Sequence, residues 1–334
     1  MRLVDFSRQI GVSPTTVSQA INGTGRVSPA TRAMVCQRML ELGYLPNPHA
    51  QQLVTGRSQM AVLHHTNQDM LTDLFLVELT HGIQHALHRR SYGLLLDTAS
   101  DFAEDDAPLN LWLRTEAVDG VILINGWSDV TNWVRRFASP RTPIVLYGQV
   151  PGDGLPHTGN FVVETSEAIC QVAECLVGAG HRRIGYLGIH APDPTREEFR
   201  RALAALGVGL PDEMAVTAGF SPADGARGLR ELLARPVPPT AVFCRKDDLA
   251  IGAMNAAARL GVCVPEQLSL IGHDDVPMAA VMDPPLSTVH IDCNALGEAA
   301  ADLLISLLEI PNTRPDRRVI RASFVSRGSV AAKA

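Results

Sequence analysis

Two clusters of histidine and aspartate are the residues of this 334-residue chain best suited to catalysis or metal binding. His64-His65 ends one apolar, strand-like run, and His273-Asp274-Asp275 ends another. Such side chains could ligate a metal ion or exchange protons with a substrate. Adjacent residues of a strand point to opposite faces, so neither cluster forms a site unaided. We therefore interpret both clusters as polar residues that line a binding cleft, and we expect no metal and no cofactor.

The sequence lacks the motifs of common enzyme classes. It has no G-x-x-x-x-G-K-[ST] loop, no G-x-G-x-x-G after a strand, no H-E-x-x-H and no G-x-S-x-G. Its six cysteines show no zinc spacing, and we interpret them as reduced core thiols. An enzyme is therefore the least favoured class of function.

A different pattern marks the first 50 residues, where a small polar residue stands directly before proline three times. The three pairs are Ser13-Pro14, Ser28-Pro29 and Asn47-Pro48. A serine or asparagine side chain caps a helix, and proline fits the first helical position. With an earlier helix across "LVDFSRQI", the pairs predict four short helices. The turn "GVS" between the first two is typical of a helix-turn-helix, although a helical bundle with no nucleic-acid role would show the same caps.

Charge is distributed unevenly along the chain. Residues 1–58 hold six arginines and two acidic residues, a net charge of +4, within a chain whose total is −6. This asymmetry suggests a basic head that meets phosphate and an acidic body that does not. The sequence has neither a run of 18 apolar residues nor the apolar region of a signal peptide, so we expect a cytoplasmic protein.

From residue 59 onward, short apolar strand-like runs alternate with helix-length segments. This alternation predicts parallel sheets with helices on both faces, and nine or more strands indicate two α/β subdomains. The Gly- and Pro-rich segment "VPGDGLPHTGN" is predicted to mark the first crossing between them. Ligands of such folds bind at the carboxyl ends of the strands, and two subdomains leave a cleft there.

Ordered motifs extend along almost the whole chain. The head carries "GVS", "TVS", "LGY" and "PN", and the body carries "GAGHRRIGYLG", "KDDLAIGAM", "VPEQLSLIGHDD" and "PPLSTV". In this order and spacing they resemble the LacI/GalR family of bacterial transcription regulators. The resemblance implies an all-α helix-turn-helix head with a hinge helix, and an α/β body of two doubly wound parallel-sheet subdomains like that of periplasmic sugar-binding proteins. The predicted boundaries are 1–46 for the head, 47–58 for the hinge, 59–157 plus 291–318 for one subdomain, and 158–290 plus 319–330 for the other.

The resemblance also assigns residues that face DNA. The base-facing side chains would be Pro14, Thr15 and Gln19, and the phosphate or capping contacts would be Thr16, Ser18 and Asn22. In the hinge, Asn47, Ala50 and Leu53 would face the operator, with Leu53 as an apolar wedge in the minor groove. An ordinary linker position is the alternative for Leu53. We expect the hinge helix, about two turns long, to become ordered when two copies meet on DNA.

An effector would lie between the subdomains. The residues that the resemblance places there are Asn125, Trp127, Phe220, Asp247 and Asp274. A core position for Phe220, a helix cap for either aspartate and subdomain packing for Trp127 remain open. Arg196 lies one place from the family's cleft arginine, and Lys246 replaces its asparagine. We therefore expect an effector with an anionic group paired with Arg196, Lys246 or both, while a neutral sugar with these bases on a solvated rim stays open.

These features favour a transcriptional regulator, expected to be a repressor, that binds a palindromic operator as a homodimer and answers to a sugar or sugar derivative. The alternative from another class is a small-molecule-binding protein with no DNA role. The sequence names neither the operator nor the effector.

Overall fold

The computed structural model describes residues 1–65, 73–98, 107–124, 130–148, 155–310 and 316–333. Its first 55 residues fold into four helices: α1 (Leu3–Ile10), α2 (Pro14–Asn22), α3 (Pro29–Leu42) and α4 (Pro48–Thr55). Ser13 and Ser28 cap α2 and α3, because each hydroxyl accepts a backbone N–H three residues on at 3.1 Å. Arg2 precedes α1 without a side-chain cap. The helix starts predicted from the proline pairs are therefore confirmed.

The head has a small apolar core of its own. Phe6 stacks on Tyr44, with ring centroids 4.4 Å apart, and Val17 and Val35 are fully buried beside them. This packing fixes α2 against α1 and α3. The exposed side of α2 is left free for another molecule.

The body contains two six-stranded sheets. Sheet 1 has the order β2-β1-β3-β4-β5-β11 and is parallel throughout. Its strands are β1 (Met60–His65), β2 (Gly93–Asp97), β3 (Gly120–Ile124), β4 (Ile144–Tyr147), β5 (Thr158–Glu164) and β11 (Asp316–Arg321). Sheet 2 has the order β7-β6-β8-β9-β10-β12, in which only the edge strand β12 is antiparallel among the described strands. Its strands are β6 (Ile184–Gly188), β7 (Ala215–Thr217), β8 (Ala241–Cys244), β9 (Ser269–Asp274), β10 (Ser287–His290) and β12 (Ser323–Val325).

Helices cover both faces of each sheet. Sheet 1 is covered by α5 (Leu74–Arg89), α6 (Pro108–Arg114), α7 (Val130–Phe137) and α13 (Cys293–Glu309), and sheet 2 by α8 (Ser166–Gly178), α9 (Pro194–Ala205), α10 (Pro222–Leu233), α11 (Asp247–Arg259) and α12 (Pro277–Val281). α5 and α13 approach so closely that a Cβ on Gly82 or Gly297 would lie 2.2 Å from a backbone oxygen of the other helix. None of the described helices combines the length and the apolarity that a membrane crossing requires.

The subdomain boundaries differ from the prediction. β5 pairs with β4, and β11 pairs with β5, so both strands belong to sheet 1. The chain therefore first crosses after Glu164, not at 157/158, and crosses for the last time after Arg321, not at 318/319. The last three residues of the Gly- and Pro-rich segment, Thr158–Asn160, already belong to β5 of sheet 1, since composition predicts a turn but not the sheet that the next strand joins. The described residues of the first subdomain lie within 59–164 and 291–321, and those of the second lie within 165–290 and 322–333.

The six cysteines are free thiols, but they are not all in the core. Cys244 and Cys293 are buried, whereas Cys36, Cys170 and Cys263 are exposed. The prediction of core thiols is wrong for the exposed three. Each of these occupies the outward side of a helix or a loop, which an apolar sequence context does not reveal.

Candidate functional site

The carboxyl ends of the two sheets face each other across a cavity of about 250 Å³. The first subdomain contributes the ends of β1, β3 and β4 and the start of α5, and the second contributes the ends of β8 and β9 and the residues that follow β6 and β7. The lining residues are His65, Asp73, Phe75, Leu76, Ile124, Tyr147, Ile189, His190, Phe220, Arg245, Lys246, Asp274 and Ile291. Parallel α/β sheets bind ligands at this edge, so the cavity is the candidate effector site.

Three of the predicted cleft residues line this cavity. Phe220 is 42% exposed, and Lys246 and Asp274 are buried. Asp274 ends β9 with a φ of 111°, a conformation that residues with a side chain rarely adopt. Its Oδ1 lies 2.9 Å from His273 Nδ1. Unusual backbone conformations of this kind cluster at ligand sites, where the surrounding structure holds them.

Lys246 joins the two subdomains. Its Nζ donates to Asp73 Oδ2 at 2.5 Å and lies 3.6 Å from Asp248 Oδ2. Asp73 belongs to the first subdomain, where it caps α5 by accepting the N–H of Phe75 at 3.1 Å. Burial lowers the pKa of Lys246, but the carboxylates of Asp274 and Asp73 raise it further, so the pKa ends above its usual value. The ammonium is therefore charged and already paired.

Asp247 does not reach the cavity, contrary to the prediction. It is fully buried beneath the start of α11, where its carboxylate accepts the backbone N–H of Val276 at 2.8 Å and the hydroxyl of Thr288 at 2.6 Å. Burial, and then the charge of Asp274, raise its pKa well above the usual range. The first residue of a helix points its side chain back along the helix, so Asp247 ties α11 to β10 instead of facing a ligand.

Arg196 also lies outside this cavity, so the structure does not bring it together with Phe220, Lys246 and Asp274. It lines a separate depression of about 240 Å³ at the β6–β7 edge, and its guanidinium pairs with Asp212 at 2.6 Å. Arg200 shares the same carboxylate at 2.5 Å. The one-place shift relative to the family motif moves this side chain by about 100° around α9. The other two predicted residues, Asn125 and Trp127, lie outside the described residues.

Ten of the thirteen lining residues were not predicted as effector contacts, among them Arg245 and Tyr147. Arg245 follows β8, is partly buried, and lies with NH1 3.2 Å from His273 Nδ1. Tyr147 ends β4, and burial raises its pKa to about 12, so it stays neutral. The sequence feature that could have indicated Arg245 is its position at the end of a strand, next to Lys246. No sequence pattern tells which of two adjacent bases is neutralised by a distant acid.

On the head, the start of α2 is open to solvent. Pro14 and Thr15 are exposed at its N-terminus. The hydroxyl of Thr16 bonds that of Ser13 at 2.8 Å. The partly buried Gln19 folds its amide over Gly25, where an added Cβ would lie 2.5 Å from it. The N-terminal turn of α2 is therefore the part of the head most free to enter a groove.

The other predicted DNA contacts line the space between α2 and the hinge helix α4. Ser18, Asn22, Asn47 and Ala50 share one cavity of about 350 Å³ there. Asn22 Nδ2 donates to Ser18 Oγ at 3.3 Å, and Gln51 Nε2 donates to Asn22 Oδ1 at 3.4 Å. The bond between Gln51 and Asn22 ties the hinge to the head.

The prediction that the hinge helix becomes ordered when two copies meet on DNA stays a prediction; in the structure the helix spans Pro48–Thr55. Contacts along one side hold it: Gln51 bonds the head, and Gln52 donates to the carbonyl of Glu116 in the first subdomain at 3.0 Å. On the remaining surface, Leu53 is 89% exposed and Val54 is exposed beside it. An apolar side chain in this position is available to a partner.

Comparisons with known proteins agree with this geometry. Residues 2–47 match the model of "Bacterial regulatory proteins, lacI family", and residues 173–330 match that of a "Periplasmic binding protein-like domain". The chain is 31% identical to the ribose operon repressor of Escherichia coli (strain K12), over 97% of this chain and 98% of that protein. It is 29% identical to the HTH-type transcriptional regulator CelR of Thermobifida fusca, over 96% and 95% of the two chains.

Solved structures give the same result. A complex of the transcriptional regulator CelR with cellobiose superimposes with a TM-score of 0.72, at 27% identity over 98% of this chain and 99% of that one. The lac repressor dimer bound to operator and the anti-inducer ONPF superimposes with a TM-score of 0.83, at 23% identity over 99% of both chains. The latter likeness concerns the fold.

Proposed function

This chain belongs to the lacI family of bacterial regulatory proteins, and we propose that it is a repressor that binds a palindromic operator as a homodimer under the control of a sugar-type effector. The observation that carries the proposal is the combination in one chain of a helix-turn-helix with an open α2 N-terminus and a cavity between two α/β subdomains. A ligand-binding protein with no DNA role would need the second feature but not the first. We place the repressor in the cytoplasm, where bacterial DNA lies, and assign it no catalytic activity.

The head would enter the major groove with the N-terminus of α2. Pro14 and Thr15, exposed there, would make the first base contacts, and Gln19 would swing away from Gly25 to reach a third base. Pro14 has no side-chain donor, so its contact would be apolar, such as a thymine methyl group. Thr16 would contact phosphate. Ser18 and Asn22 would also contact phosphate after the hinge helix has moved away from them onto the DNA.

The hinge helices of two copies would meet at the operator centre. There Leu53 would insert into the minor groove, open a base step and bend the duplex. Asn47 and Ala50 would lie on the same groove. The two-fold symmetry of this arrangement requires a dimer and predicts a palindromic site.

The effector would bind between the subdomains and change their relative position, and with it the spacing of the two heads. Phe220 would cover the apolar face of a sugar ring, and Asp274 would accept its hydroxyl groups. A ligand can shift the DNA-binding equilibrium only by its differential affinity for the two states, typically about 1–3 kcal/mol. The loss of one cavity contact can therefore abolish regulation without weakening DNA binding.

Operator binding is tested by selecting duplexes from a random pool and measuring affinity against salt. Neutralisation of several phosphates by each head predicts a log–log slope on the order of −5 or steeper. A protein lacking residues 1–58 should not bind. A flat salt response, or binding by the truncated protein, would contradict the DNA-binding role.

The effector site is tested with Phe220→Ala and Asp274→Ala. Both variants should bind the selected operator like the parent and should no longer respond to the carbohydrate that releases the parent. Arg196→Ala is the matched control, because it changes the same subdomain outside the cavity and should keep the full response. If both cavity variants respond like the parent, the cavity is not the effector site.

A further inference from the structure

We propose that the effector is a sugar acid, and that Arg245 binds its carboxylate. This inference rests on the proposed function, because it places the ligand in the cavity between the subdomains. It replaces Arg196 and Lys246, the two bases that the sequence favours for an anion, with a third base.

Arg245 is the base of the cavity that forms no ion pair in the described part of the chain, and the charge of Asp274 acts on it only from a longer distance. Its one side-chain hydrogen bond there joins NH1 to His273 Nδ1, at 3.2 Å. Its backbone N–H is held by the carbonyl of Leu187 at 2.8 Å, which fixes the side chain at the end of β8. A guanidinium has five N–H donors, so most of them have no acceptor among the described residues.

The other two bases are already neutralised. Lys246 pairs with Asp73 at 2.5 Å and lies 3.6 Å from Asp248. Arg196 lies outside the cavity and pairs with Asp212. An anion that approached Lys246 would have to displace a buried carboxylate, whereas an anion that approached Arg245 would displace nothing charged.

His273 cannot satisfy both of its neighbours. Its Nδ1 lies 2.9 Å from Asp274 Oδ1 and 3.2 Å from Arg245 NH1. One nitrogen either donates to the carboxylate or accepts from the guanidinium, but it cannot do both. Burial, and then the charge of Arg245, lower the pKa of His273, so the ring is neutral and carries one N–H. The shorter contact assigns that proton to Nδ1, as a charge-assisted bond to Asp274, and Arg245 then has no acceptor.

The remaining lining residues indicate what else the ligand carries. Asp274 and Asp73 place carboxylates on the same cavity, and these accept hydroxyl groups but repel a dianion such as a phosphate. Phe75, Tyr147 and Phe220 supply apolar faces for a ring. The cavity of about 250 Å³ lies just below the range of roughly 300–1,000 Å³ that holds drug-sized ligands, which suits one sugar unit. A polyhydroxylated monocarboxylate matches all three features.

The test is calorimetric titration of the full-length protein with matched pairs of ligands. The pairs are glucuronate and glucose, galacturonate and galactose, and gluconate and glucitol, and the phosphate probe is glucose 6-phosphate. At least one acid should bind about tenfold to a hundredfold more tightly than its neutral partner, as expected for charge-assisted hydrogen bonds. Arg245→Met should remove this preference, and Arg245→Lys should restore part of it. Arg196→Met should leave it unchanged.

Operator binding by the same variants separates this inference from the proposed function. Variants that bind operator like the parent are folded, so a preference that persists in Arg245→Met would overturn the role of Arg245. Operator release by neutral sugars or by glucose 6-phosphate in preference to every acid would overturn the sugar-acid assignment while the proposed function stands. Binding of no acid by a protein that binds operator would also overturn it. Failure of the parent to bind any selected operator would instead contradict the proposed function.

Discussion

The replacement Lys246→Met tests whether a buried ion pair holds the two subdomains together. The Lys246 side chain is 7% exposed and that of Asp73 is 11% exposed, and the two atoms that join them lie 2.5 Å apart. Methionine keeps the apolar stem but removes the charge. Asp73 and Asp248 would then face each other across the subdomain boundary without a cation.

The size of the effect follows from the geometry. Two unit charges at this distance attract by about 6–7 kcal/mol at an effective dielectric constant of about 20. The cost of taking both ions out of water offsets much of that attraction, and removing one partner of a buried pair costs about 3–5 kcal/mol. Because Lys246 lines a cavity that can admit water, we expect the lower end, about 3 kcal/mol.

Urea unfolding followed by tryptophan fluorescence measures this free energy. The double variant Lys246→Met/Asp73→Asn should be less destabilised than the sum of the two single changes, since it leaves no lone carboxylate at Asp73 and asparagine still caps α5. The control is Arg90→Met, which removes an ion pair with Glu309 of similar length, 3.1 Å, but with 50% and 61% exposed side chains. Such exposed pairs contribute about 1 kcal/mol or less. If Lys246→Met costs no more than the control, the ion pair does not hold the subdomains together in solution.

Three further changes probe the head, the hinge and the second subdomain. Gln19→Arg should move the preference at one position of each half-site from A·T to G·C by about 1–3 kcal/mol, because arginine binds guanine as glutamine binds adenine; unchanged base selection would mean that Gln19 reads no base. Leu53→Ala should weaken operator binding about tenfold or more, since burying a leucine contributes about 1.5–3 kcal/mol, whereas Val54→Ala should change little; equal effects would refute the wedge. Burial lowers the pKa of His181 below its usual 6.5, so the stability that it confers is complete above that value and is lost as the pH falls below it. Between about pH 7 and pH 5 the free energy of unfolding should therefore decrease less in His181→Gln than in the parent. An equal decrease in both proteins would contradict this assignment, and so would an equally small decrease in His88→Gln.

Much of the fold could be predicted from local chemistry. Serine before proline set the starts of α2 and α3, because a cap and its helix lie within four residues of each other. Apolar runs of strand length predicted two parallel α/β units, and the observed sheets confirm them. The boundaries at β5 and β11 could not be predicted, because strand pairing joins residues that are far apart in the chain.

The residues of the cavity could likewise be predicted only in part from the sequence. Phe220, Lys246 and Asp274 could be placed there by matching the chain to the family's motifs, and all three line the observed cavity. Arg196 and Asp247 could not, because the direction of a helical side chain changes by about 100° with each residue.

The sequence by itself determined the starts of α2 and α3, the alternation of strands and helices, the basic head and the family to which the chain belongs, because these depend on residue types within short stretches. Only the tertiary structure decided which bases remain available to a ligand. Lys246 and Asp73 are 173 residues apart in the chain, yet their contact pairs Lys246, while Arg245 forms no ion pair among the described residues. Charge pairing falls off with distance in space and not along the chain, so the electrostatics of the cavity exist only once both subdomains are in place.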